Sequence, residues 1–465
     1  MKTLNNDTIV AVSTPVGEGG IGIVRLSGPK SLRIADRLFI SKNGGKPSEY
    51  GAYSIRYGHI IKPSGPDEGV IDEVLLTVMR GPRSYTREDV VEINCHGGIV
   101  PLRKVFEETV ALGARPAEPG EFTRRAFLNG RIDLAQAEAV CDVIAARTEA
   151  SLRVAVGHLE GHFSGEIKKE RERLADILKD IEADIDFSDD DIDRYPRKET
   201  AERLSGISDA LKRILDTQGA GMLLKEGITC VICGKPNTGK SSLMNTLLGR
   251  NRAIVTSVPG TTRDAIEEWA SIKGIAVRLV DTAGIMKSRN IVEKKGIEKA
   301  RHYLKTADMV ILMLDMSRRL DKRDLEVIKR VPRGRTVAVA NKSDLRHRLS
   351  VGRAKKLLNN ADILVISVTK KKNIDKLEDT IAGRIWSGKV IQPEPFFLNN
   401  VRHKKAIIKA LRDVKSAAAV LYKELPPELA AADLKSAVSS LGLITGESVD
   451  IDILDRIFEK FCVGK

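Results

Sequence analysis

Residues Gly234-Lys235-Pro236-Asn237-Thr238-Gly239-Lys240-Ser241 fit the pattern G-x-x-x-x-G-K-[ST]. No other stretch constrains the fold as tightly. The run before it, Ile228 to Cys233, is apolar and β-prone. The run after it, Ser242-Leu243-Met244-Asn245-Thr246-Leu247-Leu248, has helical apolar spacing. A strand, a glycine-rich loop and a helix in that order form a phosphate cradle. Backbone N–H groups close around phosphate oxygens, and the positive end of the helix points at them. Lys240 is placed to reach the β- and γ-phosphates, and the Ser241 hydroxyl to ligate Mg²⁺.

Three further motifs follow in the order that a guanine-nucleotide site requires. Asp281-Thr282-Ala283-Gly284 follows the apolar strand Ala276 to Val280. Asp281 can hold Mg²⁺ through water, and the Gly284 N–H can meet the γ-phosphate. Thr261-Thr262-Arg263-Asp264 is placed like a switch segment, with Thr262 the better candidate for the second Mg²⁺ hydroxyl. Asn341-Lys342-Ser343-Asp344 follows the strand Thr336 to Ala340. There Asp344 would accept two hydrogen bonds, from guanine N1–H and from the exocyclic amine. Adenine lacks that amine and would leave the carboxylate unpaired. The expected nucleotide contacts are Asn237, Thr238, Gly239, Lys240, Ser241 and Ser242 in the loop. The switch adds Thr256, Ser257, Val258, Pro259, Gly260, Thr261 and Thr262. Asp281, Thr282, Ala283 and Gly284 follow, then Asn341, Lys342 and Asp344. Together these motifs predict a Ras-like G domain that hydrolyses GTP.

The 465 residues suffice for two to four domains with real cores. At 42% hydrophobic and 30% charged, the composition is that of a globular chain. Only 4% is aromatic, which argues against RNA binding by stacked aromatic platforms. The net charge of +14 fits an anionic partner, nucleic acid ahead of membrane, or a solubilising surface. No apolar run is long enough to span a membrane. Met1 to Asp7 carries neither a signal h-region nor Arg-rich transit character, so a cytoplasmic location is expected. The five cysteines (95, 141, 230, 233 and 462) are too sparse for a disulfide framework. Cys230 and Cys233, three apart on a strand, should point to opposite faces and pack as apolar groups.

The chain is expected to be multidomain, α/β and all-α. Residues 1–119 read as mixed α and β, with strands at 8–12, 21–26, 74–79 and 90–95 and helices at about 30–39 and 99–112. From about 121 to 220 the pattern is almost continuously helical, interrupted by Pro196 and several glycines. From about 398 to 465 it is helical again, with Leu411, Val414, Ala418, Leu421 and Leu425 at helical spacing. This predicts a discontinuous helical domain (120–223 and 388–465) with the G domain (224–387) inserted into it. Asp189, Asp191 and Asp193 have the 1, 3, 5 spacing of a calcium loop, but Arg194 and Thr200 stand at positions 6 and 12. A solvated helix boundary is the reading there.

The residue after D-x-x-G is Ile285, which cannot orient a water as a Gln would. Glu293 is one candidate among several acids in the second switch region. Transition-state charge could be met by Arg263 acting in cis. It could instead be met by a monovalent cation on the Asn237 amide oxygen.

Several segments at both ends carry a resemblance. They are Asp7-Thr8-Ile9-Val10-Ala11, Gly19-Gly20-Ile21-Gly22-Ile23-Val24-Arg25, Pro119-Gly120-Glu121-Phe122-Thr123, Arg125-Ala126-Phe127-Leu128-Asn129-Gly130 and the tail Phe461-Cys462-Val463-Gly464-Lys465. The whole chain resembles the MnmE (TrmE) family of tRNA-modification GTPases, whose C-x-G-K terminus the tail matches. The resemblance implies a homodimer that works with a flavoprotein partner, MnmG. Together they build aminomethyl-type groups on the wobble uridine of certain tRNAs, with 5-formyl-tetrahydrofolate or a related folate as one-carbon donor. It implies an N-terminal domain that dimerises and binds folate through Arg25, Glu92, Arg131 and Lys465. The family often has Lys where Arg131 stands, which keeps charge but alters donor geometry. It implies K⁺ on Asn237, Thr256, Val258 and Thr261, Mg²⁺ on Ser241 and Thr262, and water positioning by Glu293. It implies a part in the modification chemistry for Cys462, the terminal-motif thiol.

One departure stands out. The family's guanine-closing motif is usually Ser-Ala-Lys or Ser-Ala-Arg before a glycine-containing turn, and here it reads Ser367-Val368-Thr369-Lys370-Lys371-Lys372. The backbone contact to guanine can survive Val368, and a looser loop that affects nucleotide affinity rather than specificity is the expectation. The competing function is that of an Era-like ribosome-assembly GTPase, which gates rRNA binding and does no covalent chemistry. It would need neither the folate residues nor the C-x-G-K tail.

Overall fold

The computed structural model describes residues 7–63, 69–186, 196–251, 267–281, 301–359, 361–386 and 396–465. The acidic run at 189–193 lies outside them. The chain divides into two compact units. The first comprises Met1–Cys141, Ile167–Arg171 and Val438–Lys465, and the second comprises Asp142–Glu166 and Glu172–Ala437.

In the first unit the expected strands form as β1 (Ile9–Val12) and β2 (Gly22–Ser27), followed by α1 (Ser31–Leu38). Two unpredicted strands follow, β3 (Phe39–Ser41) and β4 (Ser54–Ile61). β5 (Val70–Met79), β6 (Val90–Cys95), α2 (Ile99–Ala111) and β7 (Arg115–Pro116) complete the sheet region. The sheet order is β3-β4-β5-β6-β2-β1-β7. Neighbours are antiparallel except β1 and β7. One face buries Val24, Leu26, Ile60, Leu76 and Ile93 against Leu32, Ile34 and Leu38 of α1 and Leu102 and Val105 of α2. The opposite face leaves Ile55, Tyr57 and Leu75 exposed.

An ion-pair network ties the start of this unit to α3 (Glu121–Leu128). Arg125, 3% exposed, donates to Asp7 Oδ1 at 2.6 Å, to Glu88 at 3.2 Å and to Glu121 at 3.0 Å. Arg115 donates to Asp7 at 2.7 Å and to Glu121 at 2.6 Å. Desolvation pushes the Asp7 and Glu121 carboxyls up, but the two guanidiniums outweigh it and hold both below the usual carboxylate range. Both folded values therefore lie below the unfolded ones. The stabilisation is full above the ordinary carboxylate range and is lost as pH falls through the lowered values. Urea unfolding of the wild type and of Arg125→Met from neutral to acidic pH should show the gap between them narrowing on acidification. A pH-independent gap would contradict this.

The helical stretch expected over 121–220 resolves into α3, α4 (Leu134–Ala145), α5 (Glu149–Leu159), α6 (His162–Asp186), α7 (Arg197–Asp216) and α8 (Gln218–Glu226). Pro196 sits at the N-cap of α7, as its fixed φ allows. The last helix runs on to Glu226, where Gly227 (φ +69°) ends it.

The second sheet carries the nucleotide motifs. Its strands are β8 (Ile228–Gly234), β9 (Glu267–Ile272), β10 (Ile275–Asp281), β11 (Met309–Asp315), β12 (Thr336–Asn341) and β13 (Ile363–Val365). Its helices are α9 (Lys240–Asn251), α10 (Lys322–Arg330), α11 (Val351–Leu357) and α12 (Ile374–Ile385). The order is β13-β12-β11-β8-β10-β9, parallel except for β9. A parallel sheet must be covered on both faces, and two apolar clusters do so. Cys230 lies in one and Cys233 in the other, as their odd spacing predicts. Burial pushes each thiol up to about 12, so neither is a nucleophile at neutral pH.

α13 (Val401–Tyr422), α14 (Pro427–Thr445) and α15 (Ile451–Phe458) follow. The buried stripe of α13 is His403, Ala406, Ile407, Ala410, Asp413, Val414, Ala417, Val420 and Leu421. Leu411 and Ala418 flank it, and Leu425 lies beyond the helix and is exposed. Val414 and Leu421 lie on the stripe as expected, and Ala406, Ala410 and Ala417 complete its contact face.

Candidate guanine-nucleotide and one-carbon sites

The phosphate loop leaves β8 at Gly234 and enters α9 at Lys240. Gly239 has φ +97°, and a Cβ there would lie 2.4 Å from Asn341 Nδ2. Glycine is thus what lets the phosphate loop and the guanine loop touch. Asn341, 3% exposed, joins three segments. Its Nδ2 donates to Thr238 O at 2.9 Å, and its Oδ1 accepts from Val368 N–H at 3.1 Å. Lys240 Nζ donates to Lys235 O at 2.8 Å, within the loop it would leave to meet phosphate. The Ser241 hydroxyl donates to Asp281 Oδ2 at 2.6 Å, bringing the two expected Mg²⁺-side oxygens together. Ser242 is exposed one residue further on.

Lys342 adopts φ +68° and donates to Asp315 at 2.6 Å. That pairing was not foreseen. An aspartate ending an apolar strand, as Asp315 ends β11, was its only signal. The Ser367 hydroxyl donates to Asp344 at 2.6 Å and accepts from Lys370 N–H at 3.1 Å. This hydrogen bond holds the Asp344 carboxyl below its usual range. The loop expected to be loose is instead closed. Ser367 and Lys372 exchange backbone bonds of 3.2 and 2.9 Å, Lys371 and Asn373 take positive φ, and Val368 is buried. Thr369 is exposed at its tip. Thr256, Ser257, Val258, Pro259, Gly260, Thr261, Thr262, Arg263, Thr282, Ala283, Gly284, Ile285 and Glu293 lie outside the described residues.

A second cluster lies in the other unit. Arg25 on β2 faces Glu92 on β6 in register and donates to it at 2.7 Å. Arg25 also donates to the Gly464 carbonyl at 3.2 Å, as Ser13 does. Lys465 is the next residue, half-buried. Arg25 lies 5.7 Å from the Phe122 ring, and Arg131 lies 4.7 Å from the Tyr85 ring. Tyr85 packs on the cluster that holds Phe122. The four residues expected at the folate site thus share one region with the C-terminal tail. Cys462 is exposed, and its carbonyl accepts from Gly120 N–H at 3.3 Å.

Two family descriptions match the chain. "GTP-binding protein TrmE N-terminus" matches residues 8–131, and "MnmE helical domain" matches 134–462. The tRNA modification GTPase MnmE of Alkaliphilus oremlandii is 44% identical over 460 residues, 99% of each chain. The chain belongs to the MnmE family. The protein of the same name from Clostridioides difficile is 43% identical, again over 99% of both chains. With the phosphate and guanine loops assembled as above and relatives named tRNA modification GTPase, the chain is a GTPase. Among solved structures, the G domain of the T. maritima FeoB iron transporter is 25% identical, covering 34% of this chain and 98% of that one at a TM-score of 0.26.

Proposed function

We propose that this chain is the GTP-hydrolysing component of an enzyme that modifies the wobble uridine of certain tRNAs. It builds aminomethyl-type groups at carbon 5 with a flavoprotein partner, MnmG, in a heterotetramer. The one-carbon unit comes from 5-formyl-tetrahydrofolate or a related folate. The protein acts in the cytoplasm as a homodimer.

The observation that carries this reading is the C-terminal tail seated on the Arg25–Glu92 pair. A GTPase that only gates RNA binding has no use for a thiol-bearing tail docked beside that pair. The printed name of the relatives, tRNA modification GTPase, supports the substrate. The charge of +14 suits a polyanion. The exposed apolar residues Ile55, Tyr57 and Leu75 lie on the same sheet face as Arg25 and Glu92, which supports pairing of two copies there. Among the described residues no helix is long and apolar enough to cross a membrane.

The residues fit the groups proposed for them. The Glu92 carboxylate can accept from the amine and ring N–H of a pterin, and the cations Arg25, Arg131 and Lys465 suit an anionic folate. Folate would supply the carbon, while these residues would bind and orient it. The Ser241 hydroxyl and Asp281 carboxylate are hard oxygens of the kind Mg²⁺ takes. Thr262 would add the second hydroxyl. The Asn237 amide would offer K⁺ a neutral oxygen, with Thr256, Val258 and Thr261, outside the described residues, as the other ligands. Glu293 would position the attacking water, Lys240 would stabilise phosphoryl charge, and Cys462 would serve the uridine chemistry.

Equilibrium dialysis with 5-formyl-tetrahydrofolate tests the reading. The wild type should bind, and Arg25→Ala should bind about tenfold more weakly or worse, the cost of a lost charged hydrogen bond. Its unfolding midpoint serves as the folding control. A wild type that does not bind folate would overturn the proposal.

A further inference from the structure

The helix α13 shows solvent charge of one sign. Its sequence holds six cations, Arg402, Lys404, Lys405, Lys409, Arg412 and Lys415, and one acid, Asp413. The acid is buried, 5% exposed, where it accepts from the Ser436 hydroxyl at 2.7 Å and from Arg412 at 3.0 Å. At about 100° per residue the six cations fall on one arc, opposite the buried stripe. Lys405, Lys409, Arg412 and Lys415 are exposed, and Arg402 and Lys404 are half-buried. Among the described residues, Lys405, Lys409 and Lys415 have no acid as an ion-pair partner.

A surface that serves only solubility mixes its signs. α7, which packs against α13, does so, exposing Glu199, Glu202, Asp209 and Asp216 among its cations. α13 exposes no acid at all. From Arg402 to Lys415 the arc spans about 20 Å of helix axis, enough to meet several consecutive phosphates of a nucleic-acid strand. The other exposed residues along it include Ile408, Ser416 and Ala419, and no aromatic ring lies among the cations. Bases have nothing there to stack on, so the contacts go to the sugar-phosphate backbone. Lysine, serine and alanine are also the residues that protein–protein interfaces tend to exclude. A helix lying on a membrane would need its apolar face free, and that face of α13 is buried in the fold.

We propose that the exposed arc of α13 is the surface that holds the backbone of the substrate tRNA. This rests on the reading of tRNA as the substrate. Lysine ammoniums take phosphate as point charges, and binding releases the counterions condensed on the RNA. Such contacts fix where the tRNA lies without reading its sequence, so the choice of tRNA and of uridine is made elsewhere. Lys405, Lys409 and Lys415 are binding residues and take no part in GTP hydrolysis.

The test uses the full chain and an unmodified tRNA transcript with uridine at the wobble position, its binding followed by fluorescence anisotropy over a KCl series. The triple variant Lys405→Gln, Lys409→Gln, Lys415→Gln removes three exposed charges and keeps good helix formers. It should weaken tRNA binding about tenfold or more at about 0.1 M salt, and flatten the slope of log affinity against log salt by about 2. Lys405→Arg, Lys409→Arg, Lys415→Arg keeps the charge and should bind as the wild type does. Lys198→Gln, Lys212→Gln, Arg213→Gln on α7 lowers the net charge by the same amount and should weaken binding no more than about twofold. Urea midpoints and GDP affinity should match the wild type in all three, as controls for the fold and the nucleotide site. Equal losses from α7 and α13 would overturn the surface, because net charge alone would then be acting. So would unaltered tRNA affinity in the α13 glutamine variant, or a loss confined to affinity for the flavoprotein, which would make the arc a protein interface. A wild type that binds no tRNA overturns the surface too. If with the flavoprotein present it also forms no modified uridine, the substrate reading falls with it.

Discussion

Asp344→Asn is expected to weaken GDP and GTP binding by a factor of about 10²–10⁴. Two hydrogen bonds from guanine to a carboxylate are at stake, each worth roughly 1.5–3 kcal/mol, or about 3–6 kcal/mol together. Asparagine keeps one acceptor but turns an N–H₂ donor toward a donor edge of the base. Xanthine carries a carbonyl where guanine carries its amine, so xanthosine nucleotides should bind the variant better than they bind the wild type. Ser367 sharpens the expectation. Its oxygen accepts from Lys370 N–H, so its proton goes to Asp344, and the carboxylate is aimed and kept ionised. A depressed folded value means that guanine affinity holds down through the ordinary carboxylate range and falls only below it. Titration with fluorescent GDP and XDP over pH measures all of this. Equal GDP affinity in variant and wild type would remove Asp344 from base recognition.

The two sites differ in how far the sequence discloses them, and the reason is locality. Phosphate must be wrapped by consecutive N–H groups, so Gly234 to Ser241 spell their function in one stretch. Cys230 and Cys233 were placed on opposite faces by parity alone, and they lie in opposite clusters. The strand β4 escaped because both faces of part of it are open. Ile55, Arg56 and Tyr57 are all exposed, so no alternation marks it. The closed guanine loop was missed for a similar reason. Val368 reads as a departure that spares its backbone, and its N–H is indeed used, but the closure comes from the Ser367–Lys372 backbone pair, which side-chain identity does not announce. Lys235 reads as a variable loop position until Asp321 and Asp324, far along the chain, fold against it. The seating of the tail joins residues 451 positions apart, and nothing local announces it.

That seating gives the second large effect. Gly464 has φ +93°, and a Cβ there would lie 2.6 Å from Val12 O and 3.0 Å from Ser13 Cα. Both neighbours are backbone of β1 and the turn after it, and neither can retreat without disturbing the sheet. Gly464→Ala therefore meets a strained dihedral and an overlap together. The combined cost of roughly 3 kcal/mol lowers the docked population of the tail about 10²-fold. Upstream the tail remains held, with Phe461 buried against Phe458 at 5.2 Å between ring centroids. Only the last residues come away. Arg25 then loses the Gly464 carbonyl but keeps Glu92, and Lys465, the next residue, loses its fixed place. GTP hydrolysis without tRNA should persist, because the phosphate and guanine loops belong to the other unit. Formation of the modified uridine, measured by nucleoside mass spectrometry with the flavoprotein partner present, should fall about 10²-fold. Modification at the wild-type rate would show that docking of the tail beside Arg25 is not needed for the chemistry.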